Sequence, residues 1–139
     1  MPCDSVQIRL EKELDPVQVS GLYEEAGWIR PGADTSFIVP MLRNSFAVAA
    51  AFDGPRLVGM MRALSDGVSD AYILDLIVTQ EYRRNGLGRR ILDTLAQYLI
   101  SLGIDWIVLI GADGTEKFYA STDAKPMKGH TPYRYRLPG

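Results

Sequence analysis

The segment from Glu81 to Arg90 combines the residue types that bind anionic groups. It contains four arginines together with Gly86 and Gly88, and it precedes a helical pattern. A helix N-terminus has backbone N–H groups without partners and carries the positive end of the helix dipole, so it attracts phosphate. Glycine lets the backbone approach a diphosphate closely, and guanidinium groups add charge-assisted hydrogen bonds. The segment therefore predicts a site for a nucleotide-like cofactor.

Two common glycine motifs do not fit this segment. A Walker loop has Lys after its second glycine, whereas Arg89 follows Gly88 here. The dinucleotide motif has a third glycine where this chain has Ile91. A solvated basic turn that caps a core helix is the remaining alternative, because short glycine motifs often occur by chance.

The flanking patterns place this segment between a strand and a helix. Residues Ala71 to Val78 form a mostly apolar run rich in β-formers, as a buried strand requires. From Leu87 to Leu102, apolar residues recur at helical spacing, and Gly103 ends the pattern. The basic loop is therefore expected at the C-terminal end of the strand and the N-terminus of the helix.

Four segments together resemble the GNAT superfamily of N-acetyltransferases. Arg83-x-x-Gly86-x-Gly88 is similar to the acetyl-coenzyme A loop of that family. The run from Arg56 to Gly59 resembles its central hairpin strand, and the run from Asp75 to Val78 resembles its cofactor-facing strand. Phe118-Tyr119 is similar to the start of a later helix that carries a tyrosine. The resemblance covers nearly the whole chain.

The order of strands and helices predicts a mixed α/β sheet, because strand–helix–strand crossovers favour parallel neighbours and the hairpin adds an antiparallel pair. The resemblance implies an α/β fold with a mixed, mostly antiparallel central sheet flanked by helices, in a single domain spanning residues 1–139. Two parallel strands, Ile73 to Val78 and Trp106 to Ile110, would splay apart, and the pantetheine arm of acetyl-coenzyme A would pair with the exposed backbone of the first. The implied cofactor-binding residues are Leu76, Ile77, Val78, Arg83, Arg84, Asn85, Gly86, Leu87, Gly88 and Arg89.

Tyr119 is the implied acid that protonates the departing coenzyme A thiolate. A phenol with a pKa of about 10 is protonated at neutral pH and can donate as charge builds on sulfur. The chain departs from the family pattern after this helix, where Asp123 and Ala124 replace the usual glycine and aromatic residue. A tyrosine that only packs the helix onto the sheet is the alternative.

Asp75 is the only charged residue of its apolar strand. Burying a lone carboxylate costs several kcal/mol unless a partner compensates the charge. Amine-acetylating members of the family resemble this chain in placing an acid here, where it would anchor an ammonium group or accept its proton through water. A structural hydrogen bond to a loop is the alternative. Trp28 is a candidate for lining the acceptor pocket, or for simple packing.

The function implied by the resemblance is transfer of acetyl from acetyl-coenzyme A to a primary amine of a small molecule, by direct attack in a ternary complex. The alternatives are acetylation of a protein lysine or N-terminal amine, and a noncatalytic coenzyme A-binding or sensing module. A homodimer is also an expectation.

Composition narrows the class of protein. The chain has 139 residues, 47% of them hydrophobic and 23% charged, which is typical of one soluble domain. A net charge of -2 argues against general nucleic-acid binding. Cys3, the single cysteine, cannot form an internal disulfide, and one cysteine with one histidine is too few for the usual zinc sites. The sequence has no secretory signal pattern and no membrane-spanning run, so a cytoplasmic protein is expected.

Turn and capping residues predict the remaining elements. Asp15-Pro16 starts a helix that ends at Gly27, and Asp53-Gly54 joins two hairpin strands. The other predicted elements are strands at Gln7 to Leu10, Phe46 to Phe52, Arg56 to Leu64 and within Lys128 to Leu137, and helices at Thr35 to Asn44, broken or kinked at Pro40, and at Thr115 to Ser121.

Overall fold

A computed structural model of the protein describes residues 5–139, so Cys3 lies outside the described residues. These residues form two compact units, one extending to Val108 and one comprising Leu109–Gly139. The elements are, in chain order, β1 (Val6–Leu10), α1 (Pro16–Glu25), α2 (Ile38–Asn44), β2 (Ala47–Asp53), β3 (Arg56–Ser65), β4 (Asp70–Val78), a 3-10 turn (Gln80–Tyr82), α3 (Leu87–Ser101), β5 (Trp106–Val108) and α4 (Glu116–Ala120).

The sheet of the first unit is mixed and opens at one edge. Its strand order is β1-β2-β3-β4-β5, in which the first four strands are antiparallel neighbours and β5 is parallel to β4. Strand β5 pairs with β4 only from Asp70 to Tyr72. Beyond that point, no strand of residues 5–139 pairs with this edge of β4. The predicted α/β fold with splayed parallel strands is therefore confirmed, but β5 ends at Val108 rather than at Ile110 as predicted.

Helix α1 begins and ends where the sequence predicts. The Asp15 carboxylate accepts a hydrogen bond from the Val17 N–H at 2.9 Å, and Pro16 occupies the first turn. The chain leaves the helix through Gly27, whose φ of +79° suits glycine. Helix α2 begins at Ile38, later than predicted, so Pro40 lies in its first turn, where its missing N–H is tolerated. The predicted break at Pro40 is therefore wrong.

Side chains alternate between the two faces of the sheet along each strand, and helices cover both faces. On one face, Met60 of β3 belongs to a buried cluster with residues of α1 and α2. On the other face, α3 packs with its buried leucines and isoleucine against β2, β3 and β4. A Cβ added to Gly59 would lie 2.8 Å from Ile91 Cδ1, so glycine here allows α3 to lie close to the sheet.

The second unit contains α4 and a C-terminal tail. Helix α4 lies within the predicted helical range. Residues 128–137 contain no strand, and Tyr133 and Tyr135 are 89% and 92% exposed. The final strand predicted there is wrong: alternation of aromatic and charged residues favours a strand, but a strand forms only where backbone partners and a buried face are available. No helix within residues 5–139 has the length and apolar character required to cross a bilayer.

Candidate active site

Strand β4 carries a β-bulge in the middle of its open stretch. Opposite the single residue Met61 of β3, β4 contributes two residues, Asp75 and Leu76. Asp75 has a φ of +60°, in the left-handed region that residues other than glycine seldom adopt. Asp tolerates this region better than most residues, since its short polar side chain can hydrogen-bond locally. The bulge therefore centres on the one charged residue in the interior of β4.

The Asp75 carboxylate has two donors from distant parts of the chain. Its Oδ2 accepts a bond from Arg62 Nε at 2.7 Å and one from the Tyr23 hydroxyl at 2.8 Å. The Arg62 and Asp75 side chains are 14% and 23% exposed. Arg62 Nη1 also lies 3.4 Å from Ser45 Oγ. The sequence indicated that this carboxylate would need a partner. It has two partners, which come from strand β3 and helix α1 rather than from a loop.

The Tyr23 hydroxyl that bonds to Asp75 stays protonated. Burial raises the pKa of the Tyr23 hydroxyl, and the negative charge of Asp75 raises it further. The hydroxyl is therefore a donor to the carboxylate at all ordinary pH values. The ring of Trp28 meets the Tyr23 ring edge-on, with centroids 5.0 Å apart, and is 46% exposed. Trp28 thus places an exposed aromatic surface beside the residue that contacts Asp75.

The backbone of Val78 faces the open edge of β4. The Thr79 N–H donates to Val58 O of β3 at 2.9 Å. Because backbone groups alternate between the two edges of a strand, those of the preceding residue, Val78, face away from β3. Its carbonyl accepts a bond from Arg83 Nε at 2.7 Å, while Ile77 lies opposite Met60 within the ladder with β3. The Val78 N–H therefore points towards the open edge.

The loop after β4 leads into α3 through two left-handed residues. Arg84 has a φ of +65° and Gly86, the N-cap residue, has a φ of +77°. No side chain caps the helix, and its first backbone bond runs from Arg90 N to Gly86 O. The N–H groups of Leu87, Gly88 and Arg89 have no backbone partner in the helix and are thus available to an anion, although the Leu87 side chain is buried.

Most of the arginines predicted to surround a diphosphate also contact protein acceptors. Arg83 bonds to the Val78 carbonyl, and its Nη2 lies 3.8 Å from Glu25 Oε1. Arg89 Nε lies 3.8 Å from Asp93, and Arg90 Nη2 lies 3.3 Å from the Val6 carbonyl. Arg84 and Asn85 are exposed, and Asn85 Nδ2 lies 3.3 Å from Arg83 O. Arg83 therefore fixes the loop to β4, in addition to any role towards a ligand.

Glu25, at the end of α1, also fixes this loop. Its Oε1 accepts bonds from the Gln80 N–H at 2.8 Å and from Thr79 Oγ1 at 3.3 Å. In the 3-10 turn that follows β4, Glu81 pairs with Arg56 at 2.7 Å, and this contact lowers the pKa of the Glu81 carboxyl. Sequence reasoning did not identify Glu25, because a glutamate in the last turn of an amphipathic helix is ordinarily solvated. Within residues 5–139, no group of three metal-ligating side chains is present.

Tyr119 lies on α4, in the second unit. Its ring meets that of Phe118 with centroids 4.9 Å apart and an interplanar angle of 75°. Partial burial raises the pKa of the Tyr119 hydroxyl, so it is protonated at neutral and mildly alkaline pH. This is the state that a proton donor requires. Its assignment as the acid stays a prediction.

Comparison with known proteins agrees with this architecture. The chain is 28% identical over 132 residues to histone acetyltransferase TAP1 of Glycine max, covering 84% of this chain and 56% of that protein. It spans about half the length of the curated relatives it matches. Among solved structures, a probable acetyltransferase from Staphylococcus aureus has a TM-score of 0.80 at 20% identity, covering 96% of this chain and 99% of that one.

A second solved structure, an aminoglycoside acetyltransferase from an uncultured soil metagenomic sample in complex with sisomicin, has a TM-score of 0.78 at 20% identity. The match covers 99% of this chain and 100% of that one. At these identities, the solved structures establish the shared fold. The model of the acetyltransferase (GNAT) family matches residues 11–121. That span includes the open edge of β4 and the loop before α3, and the chain therefore belongs to the GNAT acetyltransferase family.

Proposed function

We propose that the protein transfers the acetyl group of acetyl-coenzyme A to a primary amine of a small molecule, by direct attack in a ternary complex. The observation that supports this most is the open edge of β4, from Ile73 to Val78, which leads directly into the uncapped N-terminus of α3. An extended pantetheine arm can pair with such an edge, and a diphosphate can bind at such a helix start.

Backbone groups would do most of the binding. Leu76 and Val78 would pair with the arm, and the N–H groups of Leu87, Gly88 and Arg89 would bind the diphosphate. Bound acetyl-coenzyme A supplies the thioester that the amine attacks. The Val78 N–H would donate to the thioester carbonyl oxygen, where one well-placed donor contributes about 3 kcal/mol to transition-state stabilisation in comparable sites.

Two side chains would handle protons in this proposal. Tyr119 would donate to the departing thiolate, since its raised pKa keeps it protonated. Asp75 would anchor the acceptor ammonium or accept its proton through water. Both donors to Asp75 contact Oδ2, and its side chain is 23% exposed, so Oδ1 is the oxygen proposed to face the acceptor.

Two similarities bear on the acceptor class, and they favour different acceptors. The neighbour crystallised with sisomicin is an aminoglycoside acetyltransferase and has nearly the length of this chain, which favours a small-molecule amine. The Glycine max relative is a histone acetyltransferase, which favours a protein lysine. We propose the small molecule because the solved neighbour matches this chain end to end, whereas the chain covers 56% of the Glycine max protein.

Release of free thiol from acetyl-coenzyme A tests this function. The protein would be incubated with separate panels of aminoglycosides and other small amines, amino acids, and lysine-containing peptides. Acceptor-dependent thiol release with small amines supports the proposal, and release only with peptides would support the alternative acceptor. Tight coenzyme A binding without release from any panel would identify a noncatalytic binding module.

A further inference from the structure

The bulge at Asp75 decides which backbone groups of β4 face the open edge. In an uninterrupted strand these groups alternate with a period of two residues, and an extra residue shifts the alternation by one position. With the bulge present, Val78 faces the open edge and Ile77 pairs with β3. Without it, the backbone groups of Val78 would face β3, and its N–H would no longer point to the ligand side.

The same shift determines where the anion loop attaches to β4. Arg83 Nε bonds to the Val78 carbonyl, which is accessible only because the bulge turns it away from β3. The loop residues that follow lead into α3. A change at the bulge is therefore transmitted to the diphosphate end of the proposed site as well as to the pantetheine end.

A left-handed conformation at a residue other than glycine persists only where surrounding contacts hold it. Here the contacts are those of the Asp75 carboxylate with Arg62 and Tyr23, both largely buried. Arg62 comes from the neighbouring strand and Tyr23 from α1, so the carboxylate is fixed from two directions.

We propose that Tyr23 and Arg62 are positioning residues, which hold Asp75 in its left-handed conformation and so keep the Val78 backbone directed at coenzyme A. This inference rests on the proposed function for the identity of the ligand. It gives Asp75 a conformational role that is separable from its charge. Glycine adopts positive φ without a Cβ penalty, and asparagine tolerates it, whereas alanine does not.

Three substitutions at one position test the proposal, with coenzyme A affinity measured by calorimetry. Asp75→Gly and Asp75→Ala remove the same carboxylate and differ only in the Cβ. Asp75→Gly and Asp75→Asn should bind coenzyme A within about threefold of wild type. Asp75→Ala should bind roughly tenfold more weakly, because the complex must force the alanine into the left-handed region. Equal affinities of the glycine and alanine variants would overturn the proposal.

Tyr23→Phe tests the positioning role directly, since it removes the hydroxyl and keeps the ring against Trp28. In the wild-type background it should weaken coenzyme A binding by roughly threefold or more, as expected for the loss of a hydrogen bond to a charged group. In the Asp75→Gly background it should have no further effect, because glycine needs no support. The same loss in both backgrounds would show that Tyr23 acts elsewhere and would overturn its assignment.

Thermal unfolding separates failure of this inference from failure of the proposed function. If wild type does not bind coenzyme A, the proposed function fails, but Asp75→Gly should still melt roughly 3 °C above Asp75→Ala. Asp70, an exposed β4 residue in extended backbone, is the matched control, and there the alanine variant should be at least as stable as the glycine variant. Glycine and alanine variants of Asp75 that melt together would overturn the inference whatever the ligand.

Discussion

At the scale of single residues, Asp75 combines a charge with an unusual backbone conformation. Asparagine has nearly the same shape, retains an oxygen that Arg62 and Tyr23 can bond, and tolerates positive φ. Asp75→Asn therefore removes the basic carboxylate and leaves the bulge. We expect turnover with an identified amine to fall by roughly 10²-fold, as for loss of a general base, and coenzyme A affinity to stay nearly constant. Full turnover across neutral pH would exclude a proton-handling role for Asp75.

Tyr119→Phe separates proton donation from packing at a second residue. Phenylalanine retains the contact with Phe118, so the free energy of unfolding should change by no more than about 1 kcal/mol. Turnover should fall by roughly 10²-fold where proton donation to sulfur limits the rate, and coenzyme A affinity should barely change. Steady-state thiol release and thermal melts of both proteins measure these effects. Wild-type turnover, with chemistry shown to be rate-limiting, would assign Tyr119 to packing alone.

The sequence identified Asp75 but not the residues that hold it. Arg62 and Tyr23 lie 13 and 52 positions away along the chain, and their approach depends on strand register and on where α1 packs. One signal was available: Arg62 interrupts the apolar hairpin strand as Asp75 interrupts the next strand. Two lone opposite charges in adjacent antiparallel strands predict a pair, since each needs a partner when buried. Tyr23 offers no such signal.

At the scale of elements, α1 supports the proposed site at two points, through Tyr23 and Glu25. Glu25→Ala should weaken coenzyme A binding by roughly fivefold, because the loop loses an acceptor for the Gln80 N–H and a counter-charge near Arg83. Glu24→Ala is the control, since it removes an exposed carboxylate from the adjacent position of the same helix. Calorimetry of both variants measures the difference. Equal affinities would show that α1 does not fix the loop.

The start of α3 is the element that should bind the diphosphate. Gly86→Asp and Gly86→Asn add side chains of nearly equal size at a position where no other atom lies within 4 Å of an added Cβ. Both residues tolerate the left-handed conformation, so the pair differs mainly in charge. The aspartate variant should bind coenzyme A at least tenfold more weakly than the asparagine variant, because its carboxylate repels the diphosphate. Equal binding by the two folded variants would place the diphosphate elsewhere.

Sequence patterns located most elements but not the irregularities within them. The Asp15-Pro16 cap and Gly27 defined α1 because capping is local, and the spacing of leucines defined α3 for the same reason. The bulge was not predicted, since it exists only relative to the register of β3. The tail from Lys128 to Leu137 had a strand-like alternation without a partner strand, and local patterns carry no information about partners.

At the scale of the whole molecule, the order of elements was enough to predict a mixed α/β sheet. Strand–helix–strand succession favours parallel neighbours, while the Asp53-Gly54 turn requires an antiparallel pair. The splaying of β4 and β5 came from the family resemblance and is seen in the structure. That the whole chain forms one domain stays a prediction.

The free energy of unfolding at alkaline pH should show how much the bond between the Tyr23 hydroxyl and Asp75 stabilises the protein. The pKa of Tyr23 is raised above its unfolded value of about 10. The stabilisation that the protonated Tyr23 hydroxyl contributes is therefore fully present below pH 10 and is lost as pH rises further. The free energy of unfolding of wild type should therefore fall more steeply above pH 10 than that of Tyr23→Phe. Tyr133→Phe, at an exposed site, should follow wild type. Denaturant unfolding between pH 8 and about 11 measures this, and parallel curves for wild type and Tyr23→Phe would contradict it.

The open edge of β4 also bears on how the protein behaves in concentrated solution. A stretch of apolar strand with unpaired backbone groups can template pairing with another chain, and a net charge of -2 gives little long-range repulsion between copies. The bulge and the charge at Asp75 interrupt this stretch at its middle, which is how natural edge strands resist such pairing. In the proposed complex, the pantetheine arm would cover the same edge, so the ligand would act against aggregation of the protein that binds it.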